Sequence, residues 1–323
     1  MKASRILVVA MLSLSAISAV PAAEPQYPSR PIRAIVPFPP GGPTDVTARI
    51  FTQKLSEAWG QQVVVDDRSG AGGNIGMGIA ASSAGDGYTF LFVSSSLMVN
   101  PGLYKQVPYD VYKSFIPVSV LAASPHAFFA HPSVPVKSLA EMISLVKKEP
   151  NKYSIATPGI GTVPYLSAYL MAYEAKIDLT NVPYAGGGPS IAAVLGNQVQ
   201  FGCQAIPPVT AHIKAGRVRA LAVTSAQRTP IIPEVPTMAE LGFKDQESET
   251  ITGLLVPAGT PQAIVKKLHA EVVRIMALPD VRQRMADMGA DVSANTPQQF
   301  TAQIRRETVR WAKVIKDANI PAN

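Results

Sequence analysis

The chain has 323 residues, 47% of them hydrophobic, which is enough for two domains with a substantial core. Its formal net charge is +7, but the basic residues are spread along the chain without interleaved aromatic side chains, so we expect no nucleic-acid partner. Cys203 is the only cysteine, which excludes an intramolecular disulfide and the class of small disulfide-stapled secreted domains.

Residues 1–23 have the pattern of a secretory signal peptide. Lys2 and Arg5 precede an apolar run over 6–19, and small residues follow it up to Ala23. We expect cleavage after Ala22 or Ala23, which lowers the net charge from +7 to +5 because Lys2 and Arg5 are lost. An uncleaved membrane anchor is the alternative, but the apolar run is short for a membrane span. The mature protein is therefore expected to be soluble and exported, with a mildly positive field that favours small anions.

Strand and helix patterns alternate along the rest of the chain. Helical spacing of apolar residues over 48–58 ends at Gly60, and Ser138 with Glu141 indicates a capping box for a second helix. The predicted strands cover 32–36, 63–65, 88–93, 153–156, 181–183, 199–203, 218–224 and 251–256. This alternation predicts an α/β fold with parallel sheets and right-handed crossovers.

Three loops join a predicted strand to a predicted helix in a way that suits an anion. Residues 41–44 and 187–190 both contain Gly-Gly-Pro, with proline expected at the first helical position, and residues 157–162 form a third loop. Free N–H groups at such helix starts, together with the positive end of the helix, suit a carboxylate or a phosphate. Each loop taken alone could also be a simple tight turn. Because ligands of open α/β sheets bind beyond the carboxyl ends of the strands, we expect the loops to face one another across a cleft.

Nucleotide, metal and catalytic motifs are missing from the sequence. The glycines of 70–76 do not fit the dinucleotide fingerprint, and no lysine stands in the P-loop arrangement. Ser144 and Lys147 make an S-x-x-K that falls inside a predicted helix without its partner motifs. The four histidines are scattered, so we expect no metal site and no cofactor. Cys203 lies in an apolar run and is expected to be a buried, inert thiol.

A series of motifs covers the mature chain from about Tyr27 to Ile320. They are YPSRPIRAIVPFPPGGPTDVTAR, SGAGGNIG, GDGYTFLF, ATPGIGT, VPYAGGGPS, HIKAGRVRALAVTS, PEVPTMAELGF and VPAGTP. In these motifs and their order the sequence closely resembles the Bug family, the periplasmic solute receptors of tripartite tricarboxylate transporters.

The resemblance implies a periplasmic binding protein of the type II-like kind, with two Rossmann-like α/β domains flanking a ligand cleft. The implied division is a signal peptide over 1–23, a discontinuous first domain over 24–123 and 250–323, and a second domain over 124–249. The implied partners are a small carboxylate and the integral membrane subunits of the transporter, and the protein is expected to be a monomer. The ligands of the family include di- and tricarboxylates, acidic amino acids and aromatic acids.

The resemblance also implies a set of ligand-binding residues. From the first domain these are Phe38, Pro39, Gly41, Gly42, Thr44, Asp45, Ser94, Ser95 and Ser96. From the second domain they are Thr157, Gly159, Gly161, Thr162, Tyr184, Ala185, Gly186, Gly187 and Gln204. Because a carboxylate repels a bound anion, we interpret Asp45, the third residue of its helix, as organising the loop near the positive helix end.

The sequence departs from the family pattern at two places. Gln204 stands where relatives often carry an acidic residue, and because a glutamine cannot pair with an ammonium group this favours plain carboxylic acids over amino acids. Thr250, Ile251 and Thr252 occupy the stretch where a tryptophan is usual, which leaves the shape of the pocket rim open.

Three functions are compatible with such a pocket. They are delivery of a carboxylate to a membrane transporter, signalling of the bound state to a membrane sensor, and catalysis on a carboxylate by a secreted enzyme. The missing catalytic motifs count against the enzyme.

Overall fold

The computed structural model describes residues 27–243 and 245–321, so the predicted signal peptide lies outside the described residues. The strands are β1 Ile32–Val36, β2 Val63–Asp67, β3 Thr89–Val93, β4 Phe115–Ala130, β5 Ser154–Thr157, β6 Thr180–Pro183, β7 Phe201–Ala205, β8 Arg219–Val223, β9 Glu249–Pro257 and β10 Asp291–Val292. The helices are α1 Pro43–Trp59, α2 Asn74–Ala81, α3 Ser96–Leu103, α4 Leu139–Lys148, α5 Val163–Ala175, α6 Gly187–Leu195, α7 Ile206–Lys214, α8 Gln262–Met276, α9 Pro279–Met288 and α10 Pro297–Asp317. Within these described ranges no helix is both long enough and apolar enough to cross a membrane.

The strands form a mixed sheet in the order β2-β1-β3-β9-β4-β7-β5-β6, and β8 and β10 also pair with β4. β1 is parallel to β2 and β3, and β5 is parallel to β6 and β7. β9 is antiparallel to β3 and β4, and β4 is antiparallel to β7, β8 and β10. The prediction of parallel sheets is therefore confirmed for the outer strands and wrong for the centre, where β4, absent from the predicted strands, pairs antiparallel with its neighbours.

β4 is a strand of 16 residues that passes from one half of the fold to the other. Residues 115–125 pair with β9, and residues 126–130 pair with β7 and β8. We call β1–β3, β9, β10 and the first part of β4 the first half, and β5–β8 with the second part of β4 the second half. The predicted domain boundaries at 123/124 and 249/250 fall inside β4 and β9, and the division into two domains stays a prediction.

Helices cover both faces of the sheet in each half, which confirms the α/β class. In the first half, α1 and α8 pack on one face around Phe51, and α2, α3 and α10 pack on the other around Phe300. In the second half, α4 and α5 pack on one face around Phe128, and α6 and α7 pack on the other around Phe129. Cys203 is buried in the second half, and burial raises the pKa of its thiol, as expected for an inert cysteine.

A further apolar cluster joins the two halves beside the cleft. It contains Leu103 of α3, Leu166 of α5 and Trp311 of α10, all buried. The C-terminal helix therefore packs against α3 of the first half and α5 of the second half.

Candidate functional site

A cavity of about 510 Å³ lies where the carboxyl ends of the parallel strands of the two halves meet. Its wall contains residues 37–40 and 42–44 after β1, 69–73 after β2, 94–95 after β3, 158–160 and 162–164 after β5, and 183–189 at the end of β6. The expectation that the three glycine-containing loops face one another across a cleft is confirmed.

Three helices begin in the cavity wall, each without a side-chain cap. The N-cap residues are Gly42 for α1, Thr162 for α5 and Gly186 for α6. Pro43 is the first residue of α1 as predicted, whereas α6 already begins at Gly187. The expectation that Pro189 begins α6 is therefore wrong, because Gly186, at φ 118°, makes the turn that precedes the helix.

The first N–H groups of these helices are available to a ligand. The backbone N–H groups of Thr44, Val163 and Gly187 have no acceptor among the hydrogen bonds of the described residues. The start of α3 is different, because the Ser96 N–H donates to Ser94 Oγ at 3.1 Å. The positive ends of α1, α5 and α6 therefore point unpaired donors at one cavity.

The cavity wall has no Asp, Glu, Lys, Arg or His side chain among the described residues. Its apolar part consists mainly of prolines, with Phe38, Ile160 and Val163, and its polar side chains are hydroxyl groups and the Gln204 amide. An anion in this cavity would be held by backbone N–H groups, hydroxyl groups and helix ends, without a cationic side chain.

Asp45 lies behind the wall and is 2% exposed. Its carboxylate accepts the Gly41 N–H at 2.7 Å and Arg49 Nε at 2.6 Å, and Arg49 also donates to Asp67 at 2.7 Å. Gly41 has φ 83°, a conformation that favours glycine. The Asp45 carboxylate therefore binds the loop backbone at Gly41 and the Arg49 side chain, as expected for a residue that organises the loop.

Thirteen of the eighteen predicted ligand-binding residues belong to the cavity wall. They are Phe38, Pro39, Gly42, Thr44, Ser94, Ser95, Gly159, Thr162, Tyr184, Ala185, Gly186, Gly187 and Gln204. The other five, Gly41, Asp45, Ser96, Thr157 and Gly161, are not part of the wall. Thr157, for example, is fully buried and donates to Asn181 Oδ1 at 2.8 Å.

Sequence reasoning missed a fourth glycine-rich part of the wall, residues 69–73. Gly70, Gly72 and Gly73 all have positive φ, and this run of glycines was the available signal for a loop turned toward a ligand. Tyr104 and Ile160 also line the cavity. No local pattern marks Tyr104, because tertiary packing alone brings the end of α3 to the cavity.

The two halves contact each other at the rim of the cavity. The Tyr104 hydroxyl of the first half donates to the Ile160 carbonyl of the second at 3.3 Å. A Cβ atom on Gly161 would lie 2.3 Å from Asn100 Oδ1, and a Cβ atom on Gly186 would lie 3.1 Å from Pro39 Cγ. Glycines at the rim therefore let the two halves approach each other closely.

His126 of β4 is fully buried behind the cavity. Its Nε2 hydrogen-bonds with Oγ1 of Thr250, a wall residue, at 2.9 Å. Its backbone N–H donates to Thr224 Oγ1 at 2.8 Å, and Thr224 Oγ1 donates to the Ser248 carbonyl at 2.7 Å. Burial lowers the pKa of His126 to about 3, so the ring is neutral. These hydrogen bonds connect β4 to the segment from Ser248 to Thr250, through which the chain returns to the first half.

In the described part of the chain, no group of three or more acidic, histidine or cysteine side chains could hold a metal ion.

Comparisons with known proteins agree with this geometry. The model of the tripartite tricarboxylate transporter family receptor matches residues 47–320. Protein BugT of Bordetella pertussis (strain Tohama I) is 36% identical over 285 residues, which cover 88% of this chain and 87% of BugT.

Two solved structures have nearly the same fold over their whole length. R. palustris Rpa4515 with adipate has a TM-score of 0.88 and 32% identity, and the match covers 92% of this chain and 100% of that one. MatC (Rpa3494) from Rhodopseudomonas palustris with bound malate has a TM-score of 0.84 and 33% identity, over 90% of this chain and 100% of that one. A three-layer α/β fold in each half, a cleft lined by helix starts and these matches lead to one conclusion: the chain belongs to the tripartite tricarboxylate transporter receptor family, which includes the Bug proteins.

Proposed function

We propose that this protein binds a small carboxylate in the cavity and delivers it to the membrane subunits of a tripartite tricarboxylate-type transporter. The observation that carries the proposal is the convergence of three helix starts with unpaired N–H groups on a wall that lacks charged side chains among the described residues. Adipate in Rpa4515 and malate in MatC are both dicarboxylates, and they support a dicarboxylate ligand here. All of these wall residues come from one chain, so a monomer suffices for binding.

The protein works in the periplasm as a binding protein and not as an enzyme. The signal-peptide pattern and the receptor family support the location. Two wall serines donate to other groups than a base: Ser94 Oγ donates to Ser96 Oγ at 2.9 Å, and Ser95 Oγ donates to the Glu249 carbonyl at 2.9 Å. Neither hydroxyl has the adjacent general base that a serine nucleophile needs.

A thermal-shift screen of the mature protein tests this proposal. The panel contains succinate, glutarate, adipate, malate, citrate and benzoate, with ATP and Zn²⁺ as comparisons. At one hundred times its dissociation constant, a bound acid stabilises the folded state by about 2.7 kcal/mol, which raises the melting temperature measurably. Stabilisation by ATP or Zn²⁺ alone, or chemical conversion of a panel acid detected by NMR, would contradict the proposal.

Gly42→Val is expected to abolish the ligand-induced shift. Gly42 has φ −75°, which any residue adopts, and a Cβ atom there would meet only the Pro39 carbonyl oxygen, at 3.6 Å. The valine side chain therefore fits the fold but occupies cavity space beside the start of α1. We expect at least a 100-fold loss of affinity, equivalent to about 2.7 kcal/mol, measured by calorimetry. Gly42→Ala provides the graded control with a smaller loss, and full-strength binding by Gly42→Val would mean that this loop is only a turn.

A further inference from the structure

The Gln204 amide has one defined orientation in the cavity wall. The side chain belongs to the last residue but one of β7 and is 2% exposed. Its Oε1 accepts the Ala205 N–H at 3.1 Å, and its Nε2 donates to Ser190 Oγ at 3.2 Å. Because a backbone N–H can only donate, the amide oxygen must face Ala205 and the amide nitrogen must face Ser190.

Ser190 supports the same orientation. Its hydroxyl donates to the Gly187 carbonyl at 3.1 Å, so its single proton is used and its oxygen accepts from Gln204. Ser190 is 1% exposed and lies in the first turn of α6. Reversing the amide would place its oxygen against an oxygen without a proton to offer.

The second Nε2 proton of Gln204 has no acceptor among the hydrogen bonds of the described residues. A Cβ atom on Gly187 would lie 2.7 Å from this nitrogen, so a glycine is needed for the amide to sit at the start of α6. Gly187 also lines the cavity, and its own N–H is unpaired. The amide and the helix start together form a surface of donors.

We propose that Gln204 selects carboxylic acids that present an oxygen acceptor to the start of α6, and selects against their α-amino counterparts. An ammonium group carries only donors, so it would face the Gln204 N–H and the positive end of α6. No carboxylate side chain in the described wall offers it a partner. The inference rests on the proposed function and names its ligand class, since specificity is the difference between two affinities.

Matched pairs of acids test this inference by calorimetry. The pairs are succinate and aspartate, glutarate and glutamate, adipate and 2-aminoadipate, and 3-phenylpropionate and phenylalanine. In every pair that binds, we expect the wild-type protein to prefer the unaminated member at least tenfold. Gln204→Glu keeps an acceptor for the Ala205 N–H but replaces the donor with a negative oxygen. Its preference ratio is expected to fall at least tenfold.

Gln204→Met and Gly187→Ala separate charge from loss of the donor. The methionine has a similar length and no charge, so we expect weaker binding of the unaminated acid and no gain for the amino acid. Gly187→Ala displaces the Gln204 amide without a change of charge. Circular dichroism and the ligand-free melting temperature show whether Gln204→Glu folds. If it does not fold, Gly187→Ala reports on the same donor.

The outcomes distinguish this inference from the proposed function. A wild-type protein that binds no acid of the panel overturns both. A wild-type protein that binds the amino members as tightly, or a Gln204→Glu ratio equal to the wild-type ratio, overturns the role of Gln204 and leaves carboxylate binding intact. When Gly187→Ala is the variant tested, an unchanged affinity for the unaminated acid also overturns the role of Gln204.

Discussion

Gly161→Ala is expected to weaken carboxylate binding about 10- to 100-fold, whereas Gly259→Ala leaves it unchanged. Both glycines have φ 86°, so an alanine is equally strained at either position. At Gly259 no heavy atom lies within 4 Å of the added Cβ atom, but at Gly161 the Cβ atom lies 2.3 Å from Asn100 Oδ1 of the other half. An overpacked contact of this kind costs roughly 1–3 kcal/mol, and the cost falls on the closed form.

The Asn100 side chain has little freedom to move away from an alanine at 161. Its Nδ2 donates to the Gly72 carbonyl at 3.0 Å and to Asn74 Oδ1 at 2.8 Å, and Tyr109 Oη also donates to Asn74 Oδ1 at 3.0 Å. All of these groups belong to the first half. Separation of the two halves relieves the contact without breaking this network, so the variant favours an open cleft.

Calorimetry and small-angle X-ray scattering measure this effect. We expect the wild type and Gly259→Ala to contract when a binding carboxylate from the panel is added, and Gly161→Ala to stay expanded at the same concentration. Equal affinities for the two alanine variants would show that the Gly161 contact does not control closure.

Stability is expected to fall as the pH drops from 6.5 toward 3 because of His126. Burial lowers its folded-state pKa from 6.5 to about 3. Below pH 6.5 the unfolded chain binds a proton at this histidine and the folded protein does not, so the free energy of unfolding decreases until the pH reaches the folded pKa. At pH 4.5 the loss from this one group is about 3 kcal/mol.

Urea unfolding of the wild type and His126→Gln at pH 7.5 and 4.5 isolates this contribution. The glutamine can still hydrogen-bond with Thr250 but does not titrate, and carboxylates such as Glu249 are common to both proteins. We expect the wild type to lose about 3 kcal/mol more than the variant between the two pH values. Equal losses would mean that His126 is not the acid-sensitive group.

The cavity loops were predictable because their signals are local. A strand that runs into Gly-Gly-Pro predicts a turn followed by a helix start, which was correct for α1 at Pro43 and two residues too late for α6, which begins at Gly187. The same holds for α4, where the Glu141 N–H donates to Ser138 Oγ at 3.2 Å. The other half of that predicted box differs, since the Glu141 carboxylate accepts from the Lys137 N–H at 2.7 Å.

β4 and the rim contacts were not predictable because their signals are not local. β4 is buried along nearly all of its length, so it has no alternation of polar and apolar residues, and Pro117 and Pro125 interrupt its strand pattern. Asn100 and Gly161 are far apart in the sequence, and the packing of the two halves brings them together. Gly161 stays a predicted ligand contact, and it also lies against Asn100 of the other half.

A ¹⁵N-labelled backbone NMR titration of the mature protein with the tightest-binding carboxylate tests the central claim most directly. The account predicts that the amide resonances of Thr44, Val163 and Gly187 shift together, with the same dissociation constant, because their unpaired N–H groups receive the anion. Saturable binding that leaves these three resonances in place and shifts amides outside the cavity wall would contradict it.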